Sequence, residues 1–171
     1  HDALLVESGT TAMAEAFGCV VAYSEQAAPR VLVPALRDLG QVDRLRVPDP
    51  GSAPSLGRVL RAVERLRYEL GDQVFVMGRA DQAPMALAAC LRGYQTFLTD
   101  LVEPDSAPAL DHLLDLCLEA TTRYGLALRA AGAHGTCIGE LGADVVSPAV
   151  YRQHAVPRLR RFFAAMQAVA F

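Results

Sequence analysis

The sequence predicts an α/β fold in which parallel strands alternate with helices. Three short apolar runs, at residues 3–7, 73–78 and 133–139, have the length expected of buried strands. Segments with apolar residues three and four positions apart lie between these runs and indicate helices. Strands joined by helical crossovers pair in parallel. Because three strands are too few to close a barrel, we expect an open sheet that is part of a larger α/β architecture.

The composition is typical of a single globular domain and excludes several classes of protein. Of the 171 residues, 52% are hydrophobic and 20% are charged, and the net charge of -3 favours neither nucleic acid nor an anionic membrane as a partner. All 16 positive side chains are arginines. A Schiff-base lysine, a P-loop lysine or a kinase lysine is therefore absent from these residues. Since no signal peptide or long apolar span is recognisable, we expect a soluble, cytoplasmic protein.

The region after the first strand is predicted to leave the central sheet. A short helix is expected at 9–18, where small and apolar residues dominate. The apolar runs 19–23 and 30–34 flank a polar turn and indicate a hairpin or an irregular excursion. Three prolines make 47–54 a connector. Residues 19–54 are therefore assigned to an excursion and connector.

The remaining helices are predicted from apolar periodicity and from residues that begin or end helices. They are expected at 56–70, 84–101, 106–129 and from 148 onward. Gly71 and Gly132 follow the first and third of these helices, as is typical of a helix C-terminus. Pro157 should kink or split the last helix, because proline lacks the backbone N–H that the helix requires.

Polar residues follow the three predicted central strands, and we expect them in the first exposed turn after each strand. They are Glu7 and Ser8 after the first strand, Arg79, Asp81 and Gln82 after the second, and Glu140 after the third. Ligands of α/β proteins bind at the carboxyl ends of parallel strands. We therefore predict that these side chains converge on one concavity. The carboxylates of Glu7, Asp81 and Glu140 are the candidate catalytic groups, and Arg79, Gln82 and Ser8 are the candidate substrate-binding groups.

Arg79 has two interpretations. Its guanidinium is suited to a substrate carboxylate, which it would hold through two parallel hydrogen bonds. Alternatively, Arg79 pairs with Asp81 and only organises the loop between strand and helix.

The cysteines and histidines do not predict a metal site. The four cysteines are far apart in the sequence and are expected to be small, mostly buried hydrophobic residues. His134 and Cys137 form an H-x-x-C pair, but at strand spacing their side chains point to opposite faces of the sheet. His112 and His154 fall on predicted helices and are expected at the surface or as helix caps.

Four segments of the sequence resemble one known superfamily. They are "AEAFG" (14–18), "GRADQAPMALAACLRGYQTFLTDL" (78–101), "RYGLALRAAGAHGTCIGE" (123–140) and "SPAVYRQHAVPRLRRF" (147–162). In this order and spacing they resemble the uroporphyrinogen decarboxylase superfamily, which also contains methylcobalamin:coenzyme M methyltransferases and related corrinoid-dependent enzymes. The resemblance implies a TIM (β/α)8 barrel of about twice this length. Residues 1–171 would then be the N-terminal part of a single barrel domain, with about three barrel strands and a hairpin excursion.

The resemblance favours one branch of the superfamily over another. Decarboxylases carry an aspartate six residues before the glutamate that corresponds to Glu15, and this chain has Gly9 there, with Glu7 the nearest acid. Their arginine-rich N-terminal segment would precede His1. "TAMAEAFG" (11–18) is more similar to the methyltransferases, which implies methyl transfer between methylcobalamin and a thiol. Decarboxylation of a tetrapyrrole such as uroporphyrinogen III, with Arg79 binding carboxylates, is the alternative enzymatic reading.

The resemblance also bears on cofactors and partners. The zinc ligands of the methyltransferase relatives belong to the second half of the barrel, so any zinc would be held outside these residues and the corrinoid would be a substrate. A third reading is a non-catalytic half-barrel that binds a corrinoid or pairs with a partner. Because an open sheet leaves two unpaired edges, we expect a homo-oligomer or pairing with the other barrel half.

Overall fold

The computed structural model describes residues 3–140 and 142–167 and has the predicted alternation of strands and helices. The strands in these residues are β1 (Ala3–Val6), β2 (Val20–Ala22), β3 (Arg30–Val33), β4 (Phe75–Gln82) and β5 (Gly135–Gly139). The helices are α1 (Ala12–Ala16), α2 (Pro54–Leu70), α3 (Pro84–Arg92), α4 (Tyr94–Asp100), α5 (Ala107–Ala130), α6 (Pro148–His154) and α7 (Val156–Gln167). Short 3-10 turns lie at Leu39–Arg44, Pro104–Ser106 and Ala143–Val145.

The central sheet has the order β1-β4-β5, and both pairs of neighbouring strands are parallel. In this register Leu5 lies beside Met77, and Met77 lies beside Gly135. One face of the sheet packs against helices, where Val76 is fully buried. The other face is uncovered, and Leu5 and Phe75 on it are 55% and 43% exposed. The sheet therefore has one core face and one open apolar face.

The predicted excursion forms a small sheet of its own. β2 and β3 pair antiparallel, separately from the central sheet. The chain after this hairpin is tied to α3 by a hydrogen bond from the backbone N–H of Leu36 to the carbonyl of Leu91, at 2.9 Å. The hairpin thus lies against the helix that follows β4.

The helix ends follow the predicted signals with one exception. Gly71 and Gly132 follow α2 and the end of α5 with positive φ values of 57° and 101°. Pro157 lies at the start of α7, and the predicted split is confirmed by the break between α6 and α7 at Ala155. The single helix predicted at 84–101 is wrong. Gly93, with φ of 87°, separates α3 from α4.

Helix α5 is the centre of the hydrophobic core. Its fully buried apolar positions are Leu113, Leu114, Cys117, Tyr124 and Leu128. The helix also contacts β4, α3 and α7. Burial raises the pKa of the Cys117 thiol well above its ordinary value, so this cysteine is a neutral core residue, as expected.

The C-terminal helix is anchored to α5 by a buried arginine. The guanidinium of Arg158 donates to the carboxylates of Asp115 and Asp111, each at 3.0 Å. His154 lies in the same place and is buried, so its prediction as a surface or capping residue is wrong. Helix periodicity did place it on a helix, but the fold turns that position inward.

The helices of residues 3–140 and 142–167 include none whose length and apolar content would allow it to cross a membrane.

Packing of β4 against α5 yields a first prediction. A methyl group at Gly78 would lie 3.0–3.2 Å from the side chain of Leu128. We expect Gly78→Ala to lower the free energy of unfolding by about 1–3 kcal/mol, because the branched leucine has to shift within a packed core. Thermal unfolding followed by circular dichroism measures the effect.

Gly51→Ala is the matched control for this substitution. Gly51 is exposed, and the nearest atom to an added methyl group is a carboxylate oxygen of Asp49 at 3.6 Å. Its effect should stay within about 0.5 kcal/mol. Equal Tm values for the two variants would contradict the proposed close approach of β4 and α5.

Candidate functional site

Strand β4 is longer than predicted and carries three of the candidate site residues within it. The prediction placed Arg79, Asp81 and Gln82 in an exposed turn after residue 78, but β4 continues to Gln82. Asp81 and Gln82 are only 1% and 2% exposed. The expectation of an exposed turn is therefore wrong. The charged groups sit at a buried strand end, because β5 continues to pair with β4 there.

A β-bulge gives Asp81 its position. Arg79 lies beside Cys137 and Gln82 lies beside Gly139, so three steps along β4 match two steps along β5. The extra residue on β4 puts Asp81 in the left-handed region, with φ of 58°. Aspartate tolerates this region better than most residues, at a cost of about 1–2 kcal/mol. Bulges of this kind redirect side chains near functional sites.

The carboxylate of Asp81 is buried and only half satisfied. Its Oδ2 accepts a hydrogen bond of 2.7 Å from the backbone N–H of Met13 in α1. Its Oδ1 has no hydrogen-bond partner among the described residues. Burial raises the pKa of Asp81 to about 6, and the bond from Met13 and the charge of Arg79 partly oppose this effect. Asp81 can therefore exchange a proton not far below neutral pH.

Glu140 has a similar environment at the end of β5. Its Oε1 accepts a hydrogen bond of 2.7 Å from the backbone N–H of Ala86 in the first turn of α3. Its Oε2 is buried without a hydrogen-bond partner in the described part of the chain. Burial raises the pKa of Glu140 to about 7, against the lowering effect of the Ala86 bond. A carboxyl group with this pKa can act as a general base or acid at neutral pH.

Arg79 pairs with Glu7. A distance of 3.2 Å joins Nη1 of Arg79 to Oε2 of Glu7. The interpretation in which Arg79 pairs with Asp81 to organise a loop is therefore wrong. The Asp81 carboxylate accepts a hydrogen bond from Met13 instead. Arg79 keeps a buried Nε that has no partner among the described residues.

Gln82 and Ser8 complete the group predicted from sequence. Nε2 of Gln82 donates to the carbonyl of Thr10 at 3.1 Å, and the backbone carbonyl of Gln82 accepts from the hydroxyl of Thr121 at 3.0 Å. The side-chain Oε1 of Gln82 and the hydroxyl of Ser8 are buried and unpaired within the described residues. Both residues thus retain polar capacity at the strand ends.

Sequence reasoning missed Tyr124. Its position in the apolar stripe of α5 predicts a core residue, and it is fully buried. Burial raises the pKa of Tyr124 to about 12, and the nearby Ser8 hydroxyl and Asp81 carboxylate also influence it. The only signal in the sequence is a hydroxyl within an otherwise apolar stripe, which does not show what the hydroxyl faces.

The structure therefore brings the predicted residues to one edge of the sheet. Glu7, Arg79 and Asp81 interact electrostatically, and Gln82 and Glu140 are held at the ends of the same two paired strands. Several buried polar atoms there have no partner among the described residues, and they belong to Ser8, Arg79, Asp81, Gln82, Tyr124 and Glu140. Unsatisfied buried polar atoms cost stability, and each is explained by a catalytic role, by strain or by bound water or ions. The catalytic and binding roles of these residues remain predictions.

The described residues do not supply a metal centre. No group of three or more histidine, cysteine, aspartate or glutamate side chains within residues 3–140 and 142–167 could hold a metal ion. Nδ1 of His134 accepts from the backbone N–H of Val76 at 2.9 Å, and Nε2 lies 3.5 Å from Asp72. These contacts use both ring nitrogens of His134.

Parallel strands with helical crossovers and polar carboxyl ends define a protein of the α/β barrel class. The uroporphyrinogen decarboxylase (URO-D) family model matches residues 1–170, and the chain belongs to this family. The family predicted from the four sequence segments is thereby confirmed.

The chain is similar in sequence to uroporphyrinogen decarboxylases and in structure to a methyltransferase. The uroporphyrinogen decarboxylase of Xanthomonas axonopodis pv. citri (strain 306) is 31% identical over 164 residues, which are 94% of this chain and 45% of the relative. The uroporphyrinogen decarboxylase of Xylella fastidiosa (strain Temecula1) is 29% identical over the same shares of each chain. The solved structure of a methyltransferase from Methanosarcina mazei matches with a TM-score of 0.88 and 25% identity, over 98% of this chain and 50% of that one. The chain spans about half the length of these proteins, which confirms a partial barrel.

The raised pKa of Glu140 predicts how stability depends on pH. Because the folded chain favours the neutral carboxyl, protonation of Glu140 stabilises the fold. This stabilisation is fully present below pH 4.5 and is lost as pH rises through about 7. Glu140→Gln keeps an acceptor for Ala86 and has no charge to bury. We expect the free energy of unfolding of the variant to rise relative to that of the parent by on the order of 3 kcal/mol as the pH increases from 4.5 to about 7. Tm measured against pH tests this.

Glu64→Gln is the control for the pH series. Glu64 is an exposed carboxylate on α2. Its variant should differ from the parent by a small amount that is the same at every pH. A Glu140→Gln series that runs parallel to the parent would show that the Glu140 carboxylate is not buried.

Proposed function

We propose that this chain is part of a corrinoid-dependent methyltransferase, which moves a methyl group between methylcobalamin and a thiol. The observation that carries the proposal is the TM-score of 0.88 to the Methanosarcina mazei methyltransferase, over 98% of this chain. The residues 11–18 add support, since they read TAMAEAFG and place Gly9 where the decarboxylases carry an aspartate.

The strand-end residues suit this chemistry. When the thiol sulfur forms its bond to the methyl carbon, the bond from that carbon to cobalt breaks and the thiol proton must leave. Glu140, with a pKa of about 7 and an unpaired Oε2, is suited to accept that proton. Asp81, Gln82 and Ser8 present further unpaired polar atoms that would position substrate.

Zinc activation of the thiol is not assigned to these residues. No group of three potential metal ligands occurs within residues 3–140 and 142–167. Any zinc ligands would belong to residues outside this chain. In this proposal, the corrinoid is the substrate that donates the methyl group.

Tetrapyrrole decarboxylation is the second candidate. It is favoured by the 31% identity to the decarboxylase of Xanthomonas axonopodis pv. citri, compared with 25% for the methyltransferase. In this reading Arg79 would bind substrate carboxylates, and a protonated Asp81 or Glu140 would protonate the carbon that loses carbon dioxide. The pairing of Arg79 with Glu7 weighs against it, because a carboxylate already occupies one side of the guanidinium.

Two parallel assays separate the candidates. Protein expressed from the complete reading frame that contains these residues is incubated with methylcobalamin and coenzyme M, and separately with uroporphyrinogen III. Methylated thiol without coproporphyrinogen supports the first proposal. Coproporphyrinogen without methylated thiol supports the second. The absence of both products would refute both and leave the non-catalytic half-barrel reading.

The role of Glu140 yields a kinetic prediction. We expect Glu140→Gln to lower kcat for methyl transfer by about 10²-fold or more, since the variant cannot accept the proton. The rise in kcat as pH increases through about 7 should disappear with it. Glu64→Gln should retain both kcat and the pH profile. A Glu140→Gln variant with an unchanged pH profile would exclude Glu140 as the base.

We also propose that the open face of the sheet is covered in the functional assembly, by a second copy or by the other half of the barrel. Leu5, Phe75 and Met77 form a continuous apolar strip on this face, at neighbouring register positions. Exposed apolar strips of this kind mark interaction surfaces. The partner would also protect the free edges of β1 and β5.

A charge on the strip tests this pairing. The 171-residue chain should be larger than a monomer in light scattering at micromolar concentration, and Phe75→Arg should convert it to a monomer. Tyr68→Arg is the matched control, because Tyr68 is 91% exposed on α2, away from the sheet. A parent chain that is already monomeric would contradict pairing with a second copy and leave the other half of the barrel as the cover. A Tyr68→Arg variant that dissociates equally would contradict the strip as the contact surface.

A further inference from the structure

A cavity of about 410 Å³ lies between the β2–β3 hairpin and α3, beside the strand-end residues. Its walls and floor are formed by Thr10, Thr11, Pro29, Arg30, Val31, Leu32, Pro34, Gln82, Ala86, Ala89, Cys90, Gly93 and Tyr94. The volume falls within the range of small-molecule sites. At about 30 Å³ for each water molecule, this is the volume of roughly 14 waters.

Most of this cavity is apolar, and one deeply buried polar group lies at its floor. The hairpin contributes proline and aliphatic side chains, and α3 contributes small residues. Gln82 is 2% exposed, and its amide Nε2 is already committed to the carbonyl of Thr10. Its Oε1 has no hydrogen-bond partner among the described residues. An unpaired acceptor at this depth calls for a ligand with an N–H or O–H donor.

The rim carries a positive charge. Arg30 is exposed on the hairpin strand β3, and its guanidinium has no hydrogen bond or ion pair with the described residues. No carboxylate is found among the lining residues. The guanidinium of Arg30 therefore favours an anionic group at the rim, away from the Asp81 and Glu140 carboxylates that adjoin the wall at Cys90 and Ala86.

The cysteine in the wall does not make the cavity reactive. Burial raises the pKa of the Cys90 thiol to about 11. The thiolate, which is the nucleophilic form, is therefore scarce at neutral pH. Cys90 contributes a polarisable apolar surface, and ligand binding here is non-covalent.

We propose that this cavity binds a small organic acid with a flat, apolar body. The acid group lies at Arg30, the body packs between the hairpin and α3, and an N–H or O–H group donates to Oε1 of Gln82. This binding shares Gln82 with the residues proposed to position the reaction's substrate, but it requires neither the catalytic carboxylates nor a second substrate. It can therefore be measured without turnover.

Indolepropionate is a suitable probe, because it is a small molecule that combines an aromatic body, a carboxylate and one N–H donor. The chain contains no tryptophan. Indole fluorescence excited beyond the tyrosine absorption therefore reports the probe alone. We expect a saturable change in emission when the 171-residue chain is titrated. Indolepropionamide, without the charge, and N-methylindolepropionate, without the donor, should each bind about five- to tenfold more weakly.

Two variants locate the site. Arg30→Gln should weaken binding of indolepropionate about fivefold and should not change the affinity for indolepropionamide. Ala89→Leu should abolish binding, because the larger side chain fills the cavity, and circular dichroism verifies that this variant folds. Arg37→Gln is the matched control, because Arg37 is exposed near the hairpin but does not line the cavity. It should bind like the parent.

The outcomes are decisive in both directions. Saturable binding that is weakened by Arg30→Gln and unchanged by Arg37→Gln supports the site, whether or not Ala89→Leu folds. No saturable signal overturns the proposal. Equal affinity of the parent and Arg30→Gln, or undiminished binding to folded Ala89→Leu, overturns it as well, since the probe would then bind elsewhere.

Discussion

The candidate site depends on the hydrogen bond from the backbone N–H of Met13 to the Asp81 carboxylate. This bond of 2.7 Å links α1 to a strand that lies 68 positions away in sequence. It offsets two costs at once, because Asp81 is both buried and in the left-handed backbone region. A bulge with an aspartate that lacked any hydrogen bond would lower the stability of the fold. With the bond in place, one carboxylate oxygen is fixed and the other is left free at the strand end.

The same division between one satisfied and one free atom recurs across the site. Glu140 is anchored by the N–H of Ala86, Gln82 by the carbonyl of Thr10 and Arg79 by Glu7, and each keeps a buried atom without a partner among the described residues. An unsatisfied buried polar group costs about 1–3 kcal/mol, so several of them together are a large fraction of the stability of a domain. A catalytic or binding role, as proposed for these residues, is one established reason for such a cost. The anchors orient the side chains, and the free atoms are available to a ligand.

Much of the fold could be predicted from the sequence, because its signals are local. Apolar runs, helical periodicity and Pro157 are sufficient to find the three central strands, the hairpin and the split between α6 and α7. The polar residues of β4 were misplaced because a charged run resembles a loop until the pairing with β5 is known. The bulge at Asp81 and the role of Tyr124 are likewise set by residues distant in sequence. The position of the strand ends at one edge of the sheet was predictable from topology, whereas the partners of each side chain were not. The convergence of these side chains on one concavity stays a prediction.

The open face of the sheet and the Glu7–Arg79 ion pair of the candidate site belong to one surface. Side chains alternate along a strand, so Leu5 and Glu7 point to the same face, as do Met77 and Arg79. In the observed register these residues form two adjacent rows that run from an apolar strip into the Glu7–Arg79 ion pair. A protein segment that covers the strip would therefore also form a wall around the ion pair. Because burial strengthens electrostatic interactions, such a partner would change the energetics of the site as well as the stability of the sheet. If the proposed partner covers the strip, this register would couple assembly to the proposed chemistry.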